Sequence, residues 1–361
     1  MPDQPATIFD PSKSFDDNVD HGPFGRPSNE VYQNKGNPTY NFLGHKLYSP
    51  FGIGAGSLPT SRHVQYGFER GFDVICYKTQ RSVPFPCNMF PNVVYVDVDG
   101  DLTIEKARKP LIGHLSSDKP VQKLTITNSF GNPSRGPDFW EEDMKQAVSA
   151  QGKGQLLIAS VVGTAQNGFS PQDYYQDFAD TAAIAIKTGV SVIELNLSCP
   201  NVADEGVVCY TYDAVIDIAR RTKEKIGDIP IIAKLGYFTP AQQELLEKIV
   251  VDSSKYLSAY SVINTIQAAV VDETGKQLLP GPGRLRAGVC GRAIRWAGLE
   301  MVTRLTELRQ KHNLTYEIIG IGGVSTPADF QKYRTAGAEI VQAVTAPMWN
   351  DKLAEQIKAT L

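Results

Sequence analysis

With 361 residues, 42% of them hydrophobic, the chain is long enough for two ordinary domains or for one large α/β barrel with a substantial core. A net charge of −3 gives no electrostatic ground for nucleic acid or an anionic membrane as main partner, and no run approaches the ~20 consecutive apolar residues of a membrane span. The five cysteines are widely spaced without a CxxC, and the five histidines form no HExxH or paired-ligand spacing; this pattern indicates free thiols in a reducing, cytoplasmic setting and no metal site.

In chain order, the start is acidic and carries prolines, unlike a signal peptide or an anchor. Residues 1–44 read as an N-terminal arm, poorly structured or wrapped over the surface, and residues 45–361 as a barrel. Short β-branched apolar runs then alternate with amphipathic stretches. The predicted strands are Phe51 to Ala55, Val74 to Lys78, Leu156 to Val162, Val192 to Leu197, Ile231 to Leu235, Ala259 to Asn264, Ile318 to Ile321 and Ile340 to Val344. Continuous apolar runs suit strands buried on both faces, as in a parallel sheet.

Helix signals fill the gaps. Ser170-Pro171, Thr239-Pro240 and Thr326-Pro327 each read as an N-cap followed by proline at the first helical position. Gly189 and Gly337 stand where helices end. Eight such units predict a (β/α)₈ (TIM) barrel, with a doubly wound sheet as the alternative. Two stretches, 79–154 and 266–290, interrupt the rhythm. Inserts at strand C-termini fall on the catalytic face, where they build lids or substrate pockets.

Polar groups gather at the strand ends. Lys78 ends the second strand, Asn196 and Cys199 stand at the end of the fourth, Lys234 closes the fifth, and Asn264-Thr265 closes the sixth. Any one of these could be an ordinary solvent-facing cap; together they suggest one mouth. Two lysines ending apolar strands suit a flavin or an anionic substrate. Cys199 could be a small buried hydrophobe, but two asparagine amides flank it in Asn196-Leu-Ser-Cys-Pro-Asn201, which favours a proton-transfer site. Cys76, inside a strand, reads as core. Gly320-Ile-Gly-Gly323 precedes a helix start after the seventh strand, and Thr345 ends the eighth. In a barrel these positions seat a phosphate, although a Gly-Gly pair alone is often only a turn.

These motifs resemble those of the dihydroorotate dehydrogenase family over about residues 45 to 350. The most specific is Asn196-Leu-Ser-Cys-Pro-Asn201, supported by Ser49-Pro-Phe-Gly-Ile-Gly-Ala-Gly56, Tyr77-Lys-Thr79, Asn128-Ser-Phe-Gly131, Ala233-Lys-Leu235, Ile263-Asn-Thr265, Gly288-Val-Cys-Gly291 and Ile319-Gly-Ile-Gly-Gly323. The resemblance implies an FMN enzyme oxidising dihydroorotate to orotate in pyrimidine biosynthesis. It makes Cys199 the base for the C5 proton and implies hydride transfer from C6 to the flavin. A cysteine there is similar to the soluble, class 1 branch. The resemblance further implies that Asn128, Asn196, Asn201 and Asn264, with Thr265, hold the substrate, and that Lys78 lies between substrate and flavin. Lys234 would balance negative charge on the flavin. Gly322, Gly323 and Thr345 would take its phosphate, and Ala55, Gly56, Thr79, Ser160, Asn196 and Gly288 would line it.

The family loop Asn-x-x-Gly-Leu-x-Asn-x-Gly is replaced here by Asn128-Ser-Phe-Gly-Asn-Pro-Ser-Arg-Gly136, and Cys290 and Trp296 stand where small residues or proline are common. Asn132 and Arg135 are therefore expected to add polarity at the substrate. Expected partners are a small-molecule substrate and a second copy in a homodimer, with an iron–sulfur/FAD subunit if NAD is the acceptor. Rival readings are a dihydropyrimidine dehydrogenase-like module, a tRNA-dihydrouridine synthase, and a flavin-binding subunit without turnover. An acidic balance and the short tail after the last strand count against the tRNA enzyme.

Overall fold

The computed structural model describes residues 5–25, 31–198 and 207–361. Eight parallel strands close into a barrel: β1 (Phe51–Ile53), β2 (Val74–Gln80), β3 (Leu156–Val161), β4 (Ile193–Asn196), β5 (Ile231–Leu235), β6 (Ala259–Val262), β7 (Glu317–Ile321) and β8 (Ile340–Ala343). Each pairs with its sequence neighbour, and β8 returns to β1 through Val341↔Phe51. All eight predicted strands are present, so the doubly wound alternative is set aside.

The helices start as their sequences predict. Ser170 accepts from Asp173 N in a full capping box, Thr239 and Gln242 form another, and Thr326 accepts from Asp329 N. Gly337 ends its helix in the left-handed region at φ 110°. Among the described residues no helix is long and apolar enough to cross a membrane.

Side chains alternate across a strand, so every second residue faces the barrel axis. Val74 and Cys76, Leu156 and Ile158, Ile232, Ala259, Ile319 and Ile340 share one buried interior cluster. Phe42 and Leu47 join it from the hairpin Tyr40–Phe42/His45–Leu47, which plugs the lower end. Extending that alternation upward brings Lys78, Ser160, Asn196, Lys234 and Gln342 to the interior layer at the strands' C-terminal ends.

The two inserts do more than form separate covers. Strands Tyr95–Val96, Leu111–His114 and Thr125–Asn128 from the first combine with Ile266–Val271 and Arg286–Gly291 from the second in a closed five-stranded sheet. Leu111 pairs with Val270, and Asn128 pairs with Gly288. This cap sits on the C-terminal side because both inserts leave from strand C-termini.

The arm, expected to be poorly structured or wrapped over the surface, is anchored on the barrel side by apolar residues. Ile8, Phe9, Phe15 and Val19 are buried, and Phe15–His21 is a helix with a Ser14–Asp17 capping box. Apolar residues spaced through an acidic stretch supply the anchor; the surrounding carboxylates face solvent.

Candidate active site

A bulge in β2 begins the site. Tyr77 pairs with Ala159 and Gln80 with Val161, so β2 carries one extra residue between them. Bulges re-aim side chains, and here Lys78 and Thr79, though consecutive, both join the buried polar layer, 5% and 3% exposed. Thr79 Oγ1 lies 3.0 Å from Ser160 Oγ and accepts from Asn196 Nδ2 at 3.2 Å. Three strands, β2, β3 and β4, are thus stitched together at their upper ends.

Lys234 pairs in register with Asn196. Its ammonium is buried and donates to Ala55 O at 3.4 Å, a long bond and its single one among the described residues. Asn264 Nδ2 donates to Ser198 O at 3.1 Å, drawing the end of β6 to the start of the loop after β4. Cys199 and Asn201 lie in that loop, outside the described residues.

Across the mouth, Asn128 stands opposite Gly288 in the cap. A Cβ on Gly288 would come within 2.4 Å of Thr265 Oγ1, so glycine is what lets the cap strand lie against Thr265. Gly322 (φ 134°) and Gly323 (φ 67°) follow β7; a Cβ on Gly323 would strike Gly291 O at 2.6 Å. Thr345 Oγ1 donates to Cys290 Sγ at 3.6 Å, and burial pushes that thiol up to about 11. Cys76, below the polar layer, donates to the buried Glu194 carboxylate. Burial first, then Glu194, push its thiol well above the usual range, so it is a core group, as read from the sequence.

Gly56, Asn128 and Thr345 line one small cavity with Phe9, Phe130 and Cys290. Ser198 and Thr265 open on a second cleft between barrel and cap, flanked by Arg108 and Arg286. Several buried polar atoms here have no partner among the described residues: Asn196 Oδ1, Ser57 Oγ, Ser198 Oγ and both ends of the Gln342 amide. Such atoms are costly unless a ligand satisfies them. Apolar walls, an amide, a buried ammonium and a glycine turn fit a flat heteroaromatic ring carrying a phosphate. Among the described residues no three His, Cys, Asp or Glu side chains gather as a metal site.

Arg135 corrects one expectation. It pairs not with a substrate position but with Asp20 at 2.7 Å and Asp16 at 3.1 Å on the arm helix. Asn132 takes a left-handed turn at φ 51°, and its carbonyl accepts from the buried Arg81 Nε at 2.9 Å. The unusual loop therefore docks the arm. Trp296 Nε1 donates to Leu102 O at 3.0 Å, tying a barrel helix to the cap.

Arg284 escaped the sequence reading. It is 7% exposed and donates to Ser129 Oγ and to the carbonyls of Ser129, Met89, Pro91 and Pro280. It clasps the two inserts beside Asn128, and burial lowers its pKa. The signal was available: an arginine closing the Gly281-Pro-Gly283 turn of an insert.

A family model described as dihydroorotate dehydrogenase matches residues 109–361. A Dictyostelium discoideum protein named dihydroorotate dehydrogenase is 36% identical over 96% of this chain and 95% of its own. A Thermoplasma volcanium protein named as the catalytic subunit of dihydroorotate dehydrogenase B (NAD(+)) is 34% identical over 62% of this chain and 66% of its own. A Lactobacillus helveticus protein named dihydroorotate dehydrogenase A (fumarate) is 28% identical over 67% of this chain and 74% of its own. A solved structure of the Eimeria tenella enzyme in complex with ferulenol superposes with a TM-score of 0.68 at 16% identity, covering 91% of this chain and 84% of that one, which bears on the fold alone.

Proposed function

Because the chain belongs to the dihydroorotate dehydrogenase family, we propose that it oxidises dihydroorotate to orotate with FMN held at the barrel mouth. The observation that carries this is the Asn196–Lys234 pair: a buried amide with an unsatisfied carbonyl, in register with a buried ammonium. That pair suits an imide-like edge bearing negative charge, and Thr79 and Ser160 fix the amide's orientation. Bound FMN supplies a hydride acceptor for substrate C6.

In this reading the chain's own groups divide the remaining work. Cys199, which follows Ser198 in the chain, removes the C5 proton; a thiol near pKa ~8.5 is tunable by neighbouring cations. Asn128, Asn196, Asn201, Asn264 and Thr265 hold the ring and its carboxylate. Lys78 contributes positive charge between substrate and cofactor, and Lys234 balances charge on the cofactor. Gly322, Gly323 and Thr345 receive the phosphate, while Ala55, Gly56 and Gly288 give the ring close backbone approach. The cap excludes water from these groups.

The reading extends to a cytoplasmic homodimer passing electrons to fumarate, or to NAD through an added iron–sulfur/FAD subunit; relatives named for both acceptors are matched. Purified protein should be yellow and should bleach anaerobically on adding dihydroorotate. Cys199→Ala should keep its colour and bleach slower by a factor of about 10² or more. Colourless wild-type protein would remove FMN from the proposal. Yellow protein that bleaches only with another reduced pyrimidine would move the substrate, and reoxidation of the isolated chain by fumarate would decide the acceptor.

A further inference from the structure

We propose that Phe15, brought in by the N-terminal arm, is a positioning residue that holds the Lys78 ammonium at the active site. The Lys78 Nζ lies 5.6 Å from the Phe15 ring centre and 5.3 Å from that of Phe130. Those two rings stand edge to face, 6.3 Å apart, and Phe9 backs Phe130 at 5.7 Å. A cation within ~6 Å of a ring face is attracted to its quadrupole, more strongly where water is excluded. Lys78 and Phe15 are both buried here, so the attraction acts with little screening.

Two segments far apart in sequence form this pinch. Phe130 comes from the substrate-side insert and Phe15 from the arm. The Arg135 pairs to Asp16 and Asp20 fasten the arm helix to that same insert, and Asn18 holds the preceding turn by donating to Asp10 O at 2.9 Å. A lysine side chain has a flexible four-carbon stem; two rings restrict where its charge can sit. The arm is thereby part of the substrate site, and the 128–136 loop receives it through Phe130 and Arg135. This inference rests on the reading of Lys78 as the group between substrate and cofactor.

The test is a titration of the oxidised, FMN-loaded protein with orotate, read from the flavin absorbance change and so independent of turnover. Phe15→Leu keeps apolar bulk but loses the ring face, and should weaken orotate about five- to thirty-fold with FMN content unchanged. Phe15→Tyr should restore binding to within about twofold. Arg135→Gln, which loosens the arm from outside the core, should give a smaller loss in the same direction and decides the matter if Phe15→Leu fails to fold. Wild-type affinity in both Phe15→Leu and Arg135→Gln would overturn the role of Phe15, as would Phe15→Tyr binding no better than Phe15→Leu. Wild-type protein that takes up neither FMN nor orotate would instead overturn the underlying site and this inference with it.

Discussion

Replacing Arg284 with methionine tests whether the cap and the substrate loop are one mechanical unit. The change removes a buried guanidinium and all five of its hydrogen bonds. The Ser129 and Met89 carbonyls keep Asn92 Nδ2 as a donor, at 3.1 and 3.3 Å. The Pro91 and Pro280 carbonyls accept from nothing else among the described residues. Two acceptors stranded at about 1–3 kcal/mol each, less the relief of no longer burying a charge, give a net loss of about 2–4 kcal/mol. At about 1.3 °C per kcal/mol for a chain of 361 residues, the unfolding midpoint should fall about 3–5 °C. Orotate affinity should fall as well, since Ser129 adjoins Asn128. Lysine has three donors on one atom and cannot span four carbonyls and a hydroxyl, so Arg284→Lys should recover less than half of either loss. Scanning fluorimetry and an orotate titration read both. A lysine variant equal to wild type in midpoint and affinity would refute the clasp.

At the opposite end, Lys358 pairs with the fully buried Asp73 at 2.7 Å, so Lys358→Ala should cost about 3–5 kcal/mol in denaturant unfolding, with part recovered in the double variant carrying Asp73→Asn. A loss below about 1 kcal/mol would show that Ser49, which donates to the same carboxylate, suffices alone. His63 is held neutral, its pKa pushed by burial from 6.5 to about 3. The unfolded chain therefore takes up a proton that the folded one refuses, and stability should decline as pH falls below about 6.5 and on toward 3, by up to about 5 kcal/mol. His63→Gln should flatten that decline; an unchanged slope between pH 7 and 4.5 would discount His63. Gly288→Ala should cost about 1–3 kcal/mol and weaken orotate, because its Cβ would meet Thr265 at 2.4 Å. An unaltered midpoint would mean that the strand can simply move away.

The barrel was legible because its strands are buried on both faces and so read as unbroken apolar runs; β5, Ile231–Leu235, interrupts its run only with Lys234. That single interruption also marked the site. The cap strands carry no such signal. Thr125–Asn128 and Leu111–His114 are four residues each and mix polar with apolar, and each has Tyr95–Val96 on one side and a strand of the other insert on the second. The arm was obscured for a related reason. Phe9 and Phe15 look isolated until Phe130 meets them, and Arg135 reads as added polarity at the substrate until Asp16 and Asp20 meet it from far upstream. What local pattern cannot convey is which distant surface a short segment will meet.

The closed cap also sets an order of events during synthesis. Its first three strands are complete at Asn128, yet the two that close it begin only at Ile266. At ribosomal rates of about 5–20 residues per second, that gap of roughly 140 residues lasts on the order of ten seconds. Throughout it, Leu111–His114 and Thr125–Asn128 present open edges that can pair with another chain. The cap is thus sealed only once Arg286–Gly291 has emerged, and the barrel later still, when Ile340–Ala343 reaches Phe51–Ile53, so both leave strand edges open to other chains while the rest of the protein is made.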